Sequence, residues 1–209
     1  MTLPDDRRLI IGIVGLAVIL MVTVSFVLFT SEVARIREEK AKHASIMGEL
    51  PDFSLTNQDR KLVGRSDLLE RVNIVNFVFT QCDGPCPALT SQMTRLQKDW
   101  VSVLDVQFVS ITVDPERDSP DVLFRYVVKQ GLDTSRWHFL TGEKDRVYDL
   151  IRNGFRAEIG ESDGSHEIAH SLRFVLVDRM GRIRAYLDGK SEDLMSDVRP
   201  MVKRLLAEN

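Results

Sequence analysis

Two cysteines, Cys82 and Cys86, lie between a strand-like and a helix-like segment, and this arrangement limits the possible folds more than any other feature. The preceding residues 73–80 (NIVNFVFT) are β-branched and aromatic, with apolar side chains on both faces, as in a central buried strand. Residues 88–101 carry apolar side chains at helical spacing, and Pro87 suits a first helical turn. A cysteine pair between a strand and its helix predicts a thioredoxin-like fold, although this pair has three intervening residues instead of two.

The rest of the soluble part alternates strands and helices before it ends in a hairpin and a helix. Further strands are predicted at 106–113, 137–140, 171–178 and 183–187, and further helices at 121–130, 144–152 and 193–207. Gly131 is predicted to end its helix, because glycine is common just past a helix C-terminus. This order of elements predicts an α/β fold with a mixed central sheet, preceded by one transmembrane helix.

The transmembrane prediction depends on residues 9–30, which include no charged side chain. That run of 22 residues is long enough, because about 20 apolar residues span the hydrocarbon core as a helix. A secretory signal peptide is the alternative, but its apolar region is usually about 7–15 residues and ends in small side chains. Here Phe26, Leu28 and Phe29 occupy that end. The sequence therefore predicts an uncleaved membrane anchor.

Charges on either side of the anchor predict its orientation and the domain boundaries. Arg7 and Arg8 favour a cytoplasmic N-terminus over residues 1–8, although basic residues also follow the anchor. Residues 31–46 are highly charged and contain no glycine, which predicts a helical stalk, and residues 47–209 suit a single domain. We therefore expect a single-pass protein of the inner (plasma) membrane with its soluble domain on the periplasmic side. Disulfides persist in that compartment.

The cysteine pair can form a disulfide, remain a dithiol or bind a soft metal, and each state depends on an available thiolate. A static structural disulfide is one alternative, but so short a loop gains little entropy from a cross-link. Structural zinc usually takes four ligands, and here His166 or Asp114 would have to supply the fourth. C-type haem attachment is excluded, because Pro87 and not histidine follows the second cysteine.

The formal net charge of −3 comes without a basic stripe interleaved with aromatic residues. Such a stripe is the usual signature of a nucleic-acid-binding surface. No nucleic-acid partner is therefore expected.

The chain resembles the Sco/SenC family of membrane-anchored, thioredoxin-fold copper proteins over nearly its whole soluble part. The resemblance depends on the apolar N-terminal run and on three motifs: FVFTQCDGPCP at 77–87, VDPERDSP at 113–120 and AHS at 169–171. The CxxxCP motif alone is only moderately specific. Its combination with an aspartate 28 residues after Cys86 and a histidine 84 residues after it is far more specific.

This resemblance implies a copper site formed by Cys82, Cys86 and His170, which holds Cu(I), Cu(II) or both. Asp114 would lie close to the metal without binding it. The implied function is that of a metallochaperone that delivers copper to, or prepares the cysteines of, the dinuclear copper centre of cytochrome c oxidase. The implied partners are the copper-centre subunit of the oxidase and also another copper chaperone or a thiol reductant. Cu(I) prefers soft thiolate ligands, and imidazole also suits copper.

Two other functions would use the same cysteines. In a thiol-disulfide reductase, Cys82 would attack a target disulfide and Cys86 would resolve the mixed disulfide, so both would be catalytic. A redox or copper sensor would use the same chemistry with a different partner. Only the copper site needs His170. The family usually has aspartate where this chain has Ala169, so a carboxylate beside that histidine is missing.

The second motif has its own structural interpretation. Asp114, at a predicted strand end and followed by proline, is either a turn former or a residue that tunes the site. The neighbouring Glu116, Arg117 and Asp118 are interpreted as a local hydrogen-bonded network that holds the loop.

Overall fold

The computed structural model describes residues 5–42, 46–81, 86–160 and 172–208 of the chain, which divides into two compact units, Met1–Ala44 and Ser45–Asn209. The first unit contains helix α1, Asp5–Lys42. Within it, Gly15–Glu32 is long and apolar enough to cross a membrane, a property that N-terminal signal sequences share.

The second unit contains eight strands and five α-helices among the described residues. The strands are β1 Gly48–Glu49, β2 Ser54–Asn57, β3 Leu62–Gly64, β4 Val72–Val78, β5 Val106–Thr112, β6 Trp137–Thr141, β7 Arg173–Val177 and β8 Arg182–Asp188. The helices are α2 Arg65–Leu68, α3 Cys86–Asp99, α4 Pro120–Gln130, α5 Lys144–Asp149 and α6 Leu194–Ala207. A single π-helical turn, Leu150–Gly154, continues α5.

The strands form one mixed sheet in the order β1-β8-β7-β4-β5-β6-β2-β3. Strands β4, β5 and β6 run parallel to one another, while β7 lies antiparallel to β4 and pairs with β8 in a hairpin. The predicted α/β class and mixed sheet are therefore confirmed.

Strand β4 is buried along its whole length because the sheet separates two hydrophobic cores. Val75 and Phe77 point into the core covered by α5 and the π-helical turn. Val72 and Ile74 point into the opposite core, which contains apolar side chains of α3, α4 and α6. An apolar run without alternation is the pattern that two covered faces require.

Most predicted elements are confirmed within a few residues, and the differences have physical causes. Gly131 ends α4 in a left-handed conformation with φ 61°, as predicted. The predicted helix at 144–152 is instead α5 followed by the π-helical turn. Strands β1, β2 and β3 and helix α2 were not predicted, because elements of 2 to 4 residues are too short to show a hydrophobic period.

Candidate metal centre

The cysteine segment connects the end of a fully buried strand to the start of a long helix. Strand β4 ends at Val78, and the chain continues through buried Phe79 towards Cys82. Helix α3 begins at Cys86 and has 14 residues. The prediction of a helix leading away from the motif, with Pro87 in its first turn, is thus confirmed.

Strand β5 ends beside β4, which places the second motif at the same edge of the sheet. Val78 and Thr112 are partners in the parallel register, and the Val113 N–H donates to the Val78 carbonyl over 2.8 Å. Asp114 follows at once and is 5 % exposed. Parallel neighbours end at a common edge, so the Asp114 turn lies next to the chain that leads to the cysteines.

Asp114 organises the turn that follows β5. Its carbonyl accepts hydrogen bonds from the N–H groups of Arg117 at 3.1 Å and Asp118 at 2.8 Å. Its carboxylate pairs with Arg117 Nε at 2.9 Å, and its own N–H donates to Thr112 Oγ1 at 3.0 Å. Asp114 is therefore a turn former. The proposed tuning of a metal site is an additional role that these contacts do not test.

Asp118 connects this turn to the segment before Cys82. Its carboxylate accepts hydrogen bonds from the Thr80 N–H at 3.1 Å and the Thr80 hydroxyl at 2.5 Å. It also accepts one from the Thr112 hydroxyl at 2.6 Å. Burial raises the pKa of the Asp118 carboxyl above its usual value, although hydrogen bonds from Thr112 and Thr80 act in the opposite direction.

Further contacts support the same loop from outside. Lys144 Nζ binds Glu116 at 2.8 Å, and the Tyr148 hydroxyl donates to the Val113 carbonyl at 3.2 Å. Together with the contacts of Arg117 and Asp118, they confirm the interpretation of this run as a hydrogen-bonded network.

The described chain resumes after the histidine motif at Leu172, directly before β7. Val75 of β4 lies opposite Val175 of β7, and the two strands are antiparallel. The start of β7 therefore lies at the end of β4 that leads to the cysteines. The Leu172 carbonyl accepts a hydrogen bond from the Gly189 N–H at 2.9 Å.

The metal ligands implied by the sequence lie largely outside the described residues. Cys82 and His170 belong to segments 82–85 and 161–171, and Cys86 is described only as the first residue of α3. Within the described parts of the chain, no cluster of three His, Cys, Asp or Glu side chains could hold a metal ion. The three-ligand site stays a prediction.

Sequence reasoning missed Gly189, which separates α3 from the chain that leads out of the histidine motif. A Cβ at this position would overlap the Leu172 carbonyl oxygen and a methyl group of Leu89, in the first turn of α3. Asp188-Gly189 is a turn signal in the sequence, but only the fold shows this close approach.

We expect Gly189→Ala to destabilise the second unit by about 1–3 kcal/mol, as overpacking usually does. Denaturant unfolding of the full chain in detergent would measure the change. Gly142→Ala is the matched control, because a Cβ there meets the end of the Leu55 side chain, which can move. An equal loss of stability in the two variants would contradict the close approach at Gly189.

Comparison with known proteins agrees with the fold and the motifs. The SCO1/SenC family model matches residues 40–203. A SCO1 protein homolog of Bacillus subtilis is 32% identical over 157 residues, which cover 72% of this chain and 81% of the homolog.

Two solved structures are similar over most of their length. BsSco, a member of the Sco family of cytochrome c oxidase assembly proteins in which a disulfide switch was identified, superimposes with a TM-score of 0.69 and 30% identity. The match covers 77% of this chain and 95% of BsSco. Arabidopsis thaliana ScoI with copper bound superimposes with a TM-score of 0.65 and 25% identity, over 78% of this chain and 99% of that structure. The thioredoxin-like fold is thereby confirmed.

Proposed function

The chain belongs to the SCO1/SenC family, and we propose that it is a copper metallochaperone with Cys82, Cys86 and His170 as its metal ligands. It delivers copper to, or prepares the cysteines of, the dinuclear copper centre of cytochrome c oxidase. The copper-bound Arabidopsis relative, which matches 78% of this chain, is the observation that supports the proposal most strongly.

The donor set suits copper that must later be released. Two thiolates and one imidazole match the preferences of Cu(I), and they are one ligand short of the four that structural zinc usually takes. Cys86 is the first residue of α3, where partial positive charge at a helix N-terminus favours thiolate over thiol. Copper in such a site can exchange these ligands one at a time for the thiols of a receiving protein.

The sheet topology supports this ligand set, because the chain enters the cysteine motif and leaves the histidine motif at one edge of the sheet. Strands β4 and β5 end there, and β7 begins there. A thiol pair after β4 and a histidine before β7 are therefore connected to neighbouring strand ends. Asp114, at the end of β5, would lie near the metal without binding it, because its carboxylate pairs with Arg117.

Helix α1 suits the membrane location that this function needs. Its stretch Gly15–Glu32 is long and apolar enough to span a bilayer. We propose that it anchors the protein in the inner membrane, with Arg7 and Arg8 on the cytoplasmic side and the second unit in the periplasm. There the protein would meet the oxidase subunit, and a second copper chaperone or a thiol reductant would reload it.

The disulfide switch identified in BsSco keeps a second function under consideration. In a thiol-disulfide reductase, Cys82 attacks a target disulfide and Cys86 resolves the mixed disulfide, releasing the target as a dithiol and leaving the pair as a disulfide. A sensor of redox state or copper would use the same reaction. None of these steps requires His170.

Copper delivery by the full chain in detergent tests the proposal. The copper-loaded wild type is mixed with the metal-free, reduced copper-centre domain of an oxidase subunit, and copper in that domain is measured after separation. We expect transfer from the wild type and none from His170→Ala, whereas both proteins should reduce the oxidised domain at similar rates. No transfer from the wild type, with disulfide reduction intact, would favour the reductase.

A further inference from the structure

A buried carboxylate lies beneath the start of the cysteine segment. Asp118 is only 1 % exposed and accepts three hydrogen bonds from two threonines on separate strand ends. Two of the donors belong to Thr80, two residues before Cys82, and the third is the hydroxyl of Thr112. The carboxylate thus ties the chain leading to the cysteines to the end of the neighbouring strand.

This carboxylate is unusual in having no cation partner among the described residues. The adjacent Arg117 pairs with Asp114 instead, and the nearest donors to Asp118 are hydroxyl and amide groups. Burial of a charge without a cation is costly, and burial accordingly raises the pKa of this carboxyl. The structure nevertheless places this charge where it accepts two hydrogen bonds from Thr80, two residues before Cys82, so its position points to the neighbouring motif.

We propose that Asp118 is a positioning residue: through Thr80 it fixes the chain that leads to Cys82, and it thereby favours disulfide formation between Cys82 and Cys86. The inference rests on the proposed function only in taking this thiol pair as the working group of the protein.

The contacts explain why a carboxylate suits this task. Its two oxygens can accept all three hydrogen bonds at once, whereas an asparagine has one acceptor oxygen and an NH₂ group that only donates. Thr112 also accepts the Asp114 N–H, so its hydroxyl must donate elsewhere, and Asp118 is that acceptor. Loss of the carboxylate would therefore free Thr80 and loosen the start of the Asp114 turn together.

The equilibrium with glutathione measures this positioning without any metal. Oxidised glutathione accepts two electrons and the two thiol protons of the pair, giving one protein disulfide and two molecules of reduced glutathione. Full-length protein in detergent is brought to equilibrium at several glutathione ratios, and its free thiols are counted by maleimide labelling. The equilibrium constant reports how well the two thiols are held together.

We expect Asp118→Asn to lower this equilibrium constant about tenfold, a rise in midpoint potential of about 30 mV. Thr80→Val removes one hydrogen bond and keeps the buried charge, so its expected loss of about threefold reports position and not charge. Because the two side chains act through one contact, the double variant should lose less than the product of the single losses.

Asp121→Asn is the matched control. Asp121 lies in the first turn of α4, is exposed, and pairs with Arg60 at 2.6 Å, away from Thr80. The same chemical change there should leave the glutathione equilibrium within experimental error of the wild type.

The inference would be overturned if folded Asp118→Asn and Thr80→Val kept the wild-type equilibrium constant and lost only unfolding stability. If Asp118→Asn failed to fold, Thr80→Val alone would decide. Failure of the proposed function has a different signature. A wild type that binds no copper but shows the predicted changes in the glutathione equilibrium would refute the chaperone and leave Asp118 as a positioning residue.

Discussion

Replacing Cys86 by serine should abolish high-affinity Cu(I) binding. At neutral pH the serine hydroxyl is a hard, uncharged ligand, whereas Cu(I) prefers soft thiolate. Loss of a residue that only hydrogen-bonds to a metal ligand typically costs about 10–100-fold in metal affinity. Loss of the ligand itself should therefore cost more than about a hundredfold. Competition against a coloured Cu(I) chelator would measure the affinity of the full chain in detergent.

Ser91→Ala provides the control, because Ser91 lies on the exposed face of the same helix. It should bind Cu(I) like the wild type. Cu(I) bound by Cys86→Ser with the affinity of the wild type would show that the metal lies elsewhere.

The second large effect is expected at Asp178, which follows β7 and belongs to a buried charged network. Its carboxylate binds Arg182 Nε at 2.8 Å and Arg184 Nη1 at 2.9 Å, and the Arg184 side chain is 4 % exposed. It also accepts the N–H groups of Met180 and Arg182, both at 3.0 Å, across the hairpin turn. Arg184 also binds Glu208 at 2.6 Å and would keep that partner. Asp178→Ala should therefore destabilise the fold by about 3 kcal/mol, the lower end of what loss of one partner of a buried pair costs.

The loss of stability caused by Asp178→Ala should become smaller at acid pH. Burial alone would raise the pKa of this carboxyl, but hydrogen bonds from Arg182, Arg184 and Met180 outweigh it and hold the pKa below its usual value. A lowered pKa contributes stability that is present above the unfolded pKa of about 4 and disappears as the pH falls through the folded pKa. The difference between wild type and Asp178→Ala should shrink over that acid range.

Urea unfolding at neutral pH and at several pH values below about 4, the unfolded pKa of aspartate, would measure both effects. Asp99→Ala is the comparison, since Asp99 binds Arg199 at 2.8 Å on a more exposed surface and should cost no more than about 1 kcal/mol. If Asp178→Ala lost no more stability at neutral pH than Asp99→Ala, the role of Asp178 in the buried network would be contradicted.

The central part of the fold could be predicted because its local signals agree with its environment. Strand β4 is apolar on both faces and has a core on each side, and α3 begins where the cysteine motif and Pro87 indicate. Strand β3 and helix α2 could not be predicted, because their positions depend on pairing and packing with distant residues more than on their own short sequences.

The surroundings of the candidate site were only partly predictable, for the same reason. The charged run around Asp118 suggested a local network, but its partner Thr80 lies 38 residues away and only the parallel pairing of β4 with β5 brings them together. The tight packing of Gly189 against Leu89 and Leu172 likewise joins three separate parts of the chain. The roles of Cys82, Cys86, His170 and Asp114 at a metal remain predictions from the motifs and the family.

Copper titration of the reduced full chain in detergent, for the wild type and His170→Ala, tests the three-ligand site most directly. We expect the wild type to bind one Cu(I) and one Cu(II) per chain in separate titrations, each with high affinity, and the variant to lose at least about a hundredfold in Cu(II) affinity, because imidazole is the ligand that suits Cu(II). Weak binding by the wild type, or equal binding by the two proteins, would contradict the site. It would favour a thiol-disulfide reductase over the metallochaperone and make Ala169 the first substitution to reverse.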